Sequence, residues 1–517
     1  MSSVERSLEP SKAQSKRCLP HKSSGFAPTP PPHSPLPTPH SPLPMSFDYD
    51  LVIIGGSLVA RSVAAKAGRL KSRVALVEPE GSQSSFVDLW CQVGGQMRTA
   101  LSAGSVGAEP GQNGTQQWRA WLQTSQKRTT ELFNNEDVFP SHAQLAAAGV
   151  DVVVGEGLFE RQRRTTRSPQ DFALVVNERI LRSKAYLLAM GSIPTAPAIA
   201  GIEAVDYRTI DSLWQNPWST LPDRLVIVGS DPRGLVLAQQ LNYLGTQVTW
   251  VTPHRQIVAA VDREGAFLLQ AVLEAAGIDI LTETTMTQVT TSGSNALELH
   301  LGTHRLTADA LLLATDRYPN LAALNLGAIG VQHHRKGIAV NTQLQTTQPR
   351  VYACGEGLGG YVLANFAHHE AEVALHNALF FPKKSVHYRA IPWMIPTDPP
   401  LVQVGLTEHQ ARRFTRDVRV LRQSYQPLLM AHLQPDAIGF CQVVVRSDGE
   451  ILGAQGMGAN APEWINLIAL AMQRRIKLGA IDPSMCLSPS FSEVLARLVD
   501  QWKTDRRLMK AGNGWKS

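Results

Sequence analysis

Residues 51–54, Leu-Val-Ile-Ile, form an unbroken apolar run that stops at the pair Gly55-Gly56. Up to residue 69 small and apolar side chains then recur at helical spacing, and a second run, "VALVE", follows at 74–78. Short continuous apolar runs suit strands buried on both faces. A strand, a glycine turn, a helix and another strand therefore predict a βαβ unit with parallel strands. The same succession returns in "DRLVIVGSDPRGLVLAQQLNYLGTQVTWVTP", residues 223–253. One chain thus carries the layout twice. A β-rich stretch runs on to about residue 350, "RVYACGEG" opens another strand-to-helix step, and the remainder mixes both periods.

Residues 1–46 break the pattern with "PTPPPHSPLPTPHSPLP". Proline at that density supports neither helix nor sheet ladder, so an extended, disordered tail is expected. Met45 stands just before the folded pattern, which makes it an alternative to Met1 as a translation start. The expected division is tail 1–46, first nucleotide domain 47–200, second 201–314, return to the first 315–384, a mixed domain 385–505 and a basic tail 506–517.

The chain has 517 residues, 43% hydrophobic and 18% charged, as expected of a globular protein of several domains. Its net charge of +6 lies largely at the two ends and is not interleaved with aromatic residues, so no nucleic-acid surface is expected. No apolar run reaches the roughly 18–20 residues of a membrane helix, and the tail lacks the apolar core of a secretory signal. The five cysteines (Cys18, Cys91, Cys354, Cys441, Cys486) are scattered, with no CxxC pair. That spacing favours neither zinc nor a secreted disulfide framework, and a reducing, cytoplasmic setting is expected. The pairs His333-His334 and His368-His369 have no third ligand at useful spacing, so no metal site is expected.

In the first βαβ unit a G-x-G-x-x-G frame falls on Gly55, Ser57 and Ala60. The first position allows a tight turn, the second brings backbone close to a pyrophosphate, and the third lets helix and strand pack. Glu78 ends the next strand, where a carboxylate can hold ribose hydroxyls. In the second unit the frame falls on Gly229, Asp231 and Gly234. A carboxylate at the middle position opposes a phosphate unless a cation, Arg233 or Arg255, intervenes or the side chain turns away. The ribose acid is replaced by Thr252, followed by Pro253, His254 and Arg255, which favours NADPH over NADH.

With these units come "LLAMGSIPTAPAIAG" (187–201), "LLLATDRYPN" (311–320) and "RVYACGEGLGGYVLANFAHHEA" (350–371). In this order they resemble the crossing, return and flavin-binding motifs of the pyridine nucleotide–disulfide oxidoreductases, the group of dihydrolipoamide dehydrogenase, glutathione reductase and mercuric reductase. The resemblance spans residues 47 to about 500. It implies an α/β fold of two Rossmann-like domains, for FAD and NAD(P), plus an α+β dimerisation domain, and hence a homodimer. It also implies FAD contacts from Gly191, Gly355 and Glu356, the last in place of an aspartate. Three departures accompany it. Where the family has C-x-x-x-x-C, this chain has Trp90 and Gly95, with Cys91 displaced by one. Thr99 stands for the family's lysine, and "CLSPSFSE" puts Ser488 in place of its histidine while keeping Glu493. The helix is then expected to be re-lined toward the flavin by Trp90, Gln92 and Met97.

The expected activity is that of an FAD-dependent NAD(P)H oxidoreductase passing electrons to a non-disulfide acceptor, a quinone or other small oxidant. Two alternatives stay open: an inactive FAD-binding dimeric scaffold or sensor, and a disulfide or mercuric-ion reductase using other thiols. Cys91, Cys486 and Glu493 are the remaining catalytic candidates, and none is assigned as acid or base.

Overall fold

The computed structural model describes residues 47–80, 87, 89–94, 114–161, 172–195, 197–292, 296–302, 304–359, 363–434 and 437–513. The Pro-rich tail and positions Gly95, Met97 and Thr99 lie outside these residues.

Both apolar-run units form parallel five-stranded sheets. In the first, the strands run in the order Val351–Ala353, Ser183–Leu188, Tyr49–Ile54, Val74–Glu78 and Val150–Val154. In the second, the order is Asp279–Leu281, Gln247–Val251, Arg224–Gly229, Ala310–Ala314 and Tyr207–Thr209. The central strands Tyr49–Ile54 and Arg224–Gly229 are flanked by parallel partners on both sides. Leu51 and Ile53 feed the core on one face while Val52 and Ile54 feed the other. Burial on both faces is what leaves the run without polar alternation. The switch between the two sheets passes through two short strands, Ser192–Pro194 and Arg317–Pro319, paired antiparallel.

A third, antiparallel sheet follows in the order Trp393–Ile395, Leu401–Gly405, Ile451–Gly458, Gly439–Val445 and Arg419–Ser424. Trp464, Ile465 and Ile468 of helix Ala461–Gln473 and Val494, Leu498 and Trp502 of helix Glu493–Asn513 share its core. The last helix continues to Asn513, through the start of the expected basic tail, with the Arg506 guanidinium over the Trp502 ring.

One long helix, Gly114–Asn134, has no counterpart in the expected elements. Its Trp118, Trp121 and Leu122 join a core shared with the second sheet, including Leu225, Ile227, Leu241 and Trp250. The same helix meets the first unit through the Trp90 ring beside Trp121 and the Arg61 guanidinium over Phe133.

Candidate functional site

The two glycine turns share one backbone solution. Gly55 and Gly229 have φ of +143° and +145°, a region closed to side chains. A Cβ on Gly55 would lie 2.0 Å from the Ala189 carbonyl oxygen, and one on Gly229 would lie 1.8 Å from that of Ala314. At each place the strand end touches a neighbouring strand too closely for any residue but glycine.

Beyond the glycine the turns part company. In the first, Ser57 caps helix Leu58–Arg69 by accepting from Ala60 N. The amides of Gly56, Ser57 and Val59 meet no protein acceptor among the described residues. Open amides at a helix start suit an anion, so this turn fits the pyrophosphate of FAD. In the second turn Asp231 caps helix Pro232–Tyr243, accepting from Arg233 N at 3.0 Å. Its carboxylate also takes Arg233 Nη2 at 2.6 Å. Burial pushes the Asp231 pKa up, and the Arg233 charge and hydrogen bonds outweigh it, so the carboxyl is held below its ordinary range. Of the two cations considered for Asp231, the partner is therefore Arg233. Arg255 is exposed on the loop after Gln247–Val251, and Thr252 is buried with Oγ1 accepting from His254 N.

Glu78 is buried at the end of its strand, but two partners meet it there that the sequence reading left out. Arg61 Nε donates to Oε1 at 2.7 Å, and His142 Nε2 lies 2.8 Å from Oε2. Arg61 comes from the helix after the glycine turn. His142 is the first residue of helix His142–Ala147. The arginine partly neutralises the carboxylate while leaving lone-pair capacity for a ribose hydroxyl.

Near the crossing strands Glu356 accepts from Ser192 Oγ and lies 3.7 Å from Arg317 Nε. Arg317, whose side chain is 7% exposed, donates to Ser192 O and to Asp211 at 2.6 Å each. The three motifs singled out in the sequence thus meet at one cluster, next to Gly191 with φ +69°. Behind it, Gly355 N donates to Glu370 Oε2 at 2.6 Å, and Tyr388 Oη donates to Oε1 at 2.7 Å.

The thiol segment differs from expectation. Trp90 has no exposed surface, and its indole N–H donates to Ser125 Oγ at 2.9 Å. Its ring lies 5.6 Å from both Trp121 and Trp214. It is turned into the core between the nucleotide units rather than lining an open crevice, and Gln92 points to solvent. The physical reason is the unforeseen tryptophan-bearing helix, which offers Trp90 an apolar contact. Cys91 is 2% exposed in that core. Cys91, Cys354, Cys441 and Cys486 are in no disulfide. Burial pushes the Cys486 thiol pKa up, the reverse of what an activated thiolate needs. Glu493 opens the last helix and accepts from Ser490 N at 3.0 Å, a cap rather than an acid aimed at a crevice. Among the described residues no three His, Cys, Asp or Glu side chains gather as a metal site, and no helix is long and apolar enough to cross a membrane.

Residues 49–371 match the family described as pyridine nucleotide-disulphide oxidoreductase, and residues 391–499 match that family's dimerisation domain. A mercuric reductase of Staphylococcus aureus is 29% identical over 82% of this chain and 77% of its own length. A dihydrolipoyl dehydrogenase of a Synechocystis strain is 28% identical over 87% of this chain and 98% of its own. Among solved structures, the HOCl-induced flavoprotein disulfide reductase RclA from Escherichia coli superposes with a TM-score of 0.73 at 22% identity, over 87% of this chain and 99% of that one. LpdA from Mycobacterium tuberculosis does so with a TM-score of 0.75 at 20% identity and the same coverage. The chain belongs to the pyridine nucleotide-disulphide oxidoreductases, a family of enzymes that use FAD and a pyridine nucleotide.

Proposed function

We propose that this protein is an FAD-dependent NAD(P)H oxidoreductase that delivers electrons to a small non-disulfide acceptor, a quinone or a comparable oxidant, as a homodimer in a reducing, cytoplasmic setting. The observation that carries the reading is the state of the sulfur. Cys91 is buried in the core that also holds Trp118 and Trp121, and it forms no disulfide with another described cysteine. A thiol relay needs an accessible, low-pKa sulfur and a partner.

The first unit holds FAD through the amides of Gly56, Ser57 and Val59, with Gly55 and Ala60 shaping the turn. Glu78 takes the adenosine ribose, and Gly191, Gly355 and Glu356 take the flavin-side chain. When bound, FAD supplies the electron-carrying chemistry, while the protein positions and tunes. Gly229, Gly234 and Arg255 serve the nicotinamide dinucleotide, and the basic Arg255 beside a neutral Thr252 favours NADPH. A second reading, a flavin-binding scaffold without turnover, draws support from Asp231, which places a carboxylate where a pyrophosphate would dock.

Anaerobic addition of NADPH, then NADH, to the purified protein separates the two. Loss of the yellow absorbance within seconds is expected. An unchanged spectrum with both nucleotides rules out the oxidoreductase reading, and so does a protein purified without flavin.

A further inference from the structure

The backbone donors of the second turn are all engaged, and that has a consequence for nucleotide binding. Ser230 N and Asp231 N donate to Ala314 O at 2.8 and 2.9 Å. Proline at 232 has no N–H to offer. Arg233 N is held by the Asp231 carboxylate, and Gly234 N donates to Asp231 O at 2.9 Å. At the corresponding positions of the first turn, the amides of Gly56, Ser57 and Val59 meet no protein acceptor among the described residues. Two turns with the same glycine geometry therefore differ in the one property that binds phosphate.

We infer that Asp231, neutralised by Arg233, closes the phosphate-binding turn of the second unit, so that this chain takes a pyridine dinucleotide only weakly until the pair opens. The inference rests on the reading of that unit as the dinucleotide site. A pyrophosphate entering the closed turn meets a carboxylate at the helix start, where the favourable end of the helix dipole is already used. When Asp231 swings away, Arg233 regains both its amide and its guanidinium, and both donate to an anion. Arg233 is thus the partner of Asp231 in the closed turn and a pyrophosphate ligand in the open one. Asp231 is a specificity-determining residue, and the selectivity it exerts is against anionic dinucleotides.

The test uses the full-length, FAD-loaded protein and equilibrium dialysis with NADPH. Asp231→Ser gives the second turn the capping residue of the first, and Asp231→Gly removes the carboxylate altogether. FAD content reports folding, since FAD belongs to the other unit. Both variants are expected to lower the Kd for NADPH by roughly tenfold or more, and Arg233→Gln to raise it. An unchanged or higher Kd in both Asp231 variants, at normal FAD content, overturns the inference. The flavin spectrum in the same samples separates this from the donor reading. Tighter binding without bleaching keeps the closed turn and sinks the donor role, whereas bleaching at unchanged Kd does the opposite.

Discussion

Glu370 is 7% exposed, and its carboxylate accepts from the Gly355 amide on one oxygen and the Tyr388 hydroxyl on the other. Burial pushes its pKa up to about 7, against the downward pull of those two hydrogen bonds. Cys354 is a further titratable group beside the pair, and both its thiol and the Tyr388 phenol are pushed up, chiefly by burial. With the folded pKa above the unfolded value of about 4.5, the folded protein keeps a proton that the unfolded chain has released. This contribution is complete below the unfolded value and is lost as pH rises through about 7. Glu370→Gln cannot titrate, so it should flatten the fall in stability between those limits by on the order of 3 kcal/mol. Urea midpoints measured from acid to neutral pH for both proteins check this, and parallel profiles contradict it. The same variant should hold FAD less firmly near neutral pH, because Glu370 fixes the turn that carries Glu356. Glu370 was invisible in the sequence as a partner of Gly355, because helix periodicity does not say which turn a buried acid faces. Arg61 and His142 escaped for the same reason: they meet Glu78 only after the chain has folded back. Asp231 was legible as a misfit at once, since one carboxylate in a glycine frame is a local contradiction.

The helix Gly114–Asn134 is the element that decides how the two nucleotide units are joined. Trp121 stacks on Trp118 at 5.4 Å, meets Trp90 edge-on and is fully buried. Trp118 in turn donates its indole N–H to the Trp218 carbonyl at 3.0 Å. Large aromatics in such a junction bind the units by area and by ring geometry. Trp121→Ala should cost about 3–5 kcal/mol and loosen the junction more than either sheet. Calorimetry should then show a split transition where the parent protein gives a more cooperative one, and an unsplit, unshifted transition refutes the role. Pairs of parallel strands were readable because a run buried on both faces needs no neighbour to identify it. The tryptophan helix was not read, although Trp118, Trp121, Leu122, Ser125 and Thr129 recur on one face at helical spacing. Its apolar stripe is interrupted by serine and threonine, which are buried here with Ser125 as the acceptor for Trp90. The same helix explains why Trp90 departs from its expected place near the flavin: element packing, absent from a linear pattern, gave it another surface.

At the scale of the molecule, the fold keeps two dinucleotide-type sheets and a dimerisation domain, while its four described cysteines are spread over separate places. Cys91 lies between the nucleotide units, Cys354 beneath the Gly355 turn, Cys441 in the antiparallel sheet and Cys486 ahead of the last helix. Cys354 and Cys441 are fully buried, and burial pushes both thiols up. A sulfur that carries electrons must reach its substrate as thiolate, and neither burial nor a raised pKa permits that at neutral pH. Peptide mapping after brief iodoacetamide treatment of the native, FAD-loaded protein tests the point across the whole chain. Among the four described cysteines only Cys486, which is half-buried, should be alkylated. Cys91, Cys354 and Cys441 should react only after denaturant is added. Prior treatment with NADPH should leave this pattern unchanged, since no disulfide is there to be opened among the described residues. If NADPH instead exposes Cys91 to rapid alkylation, reduction is being passed to sulfur, and the route to a non-disulfide acceptor gives way to a thiol relay.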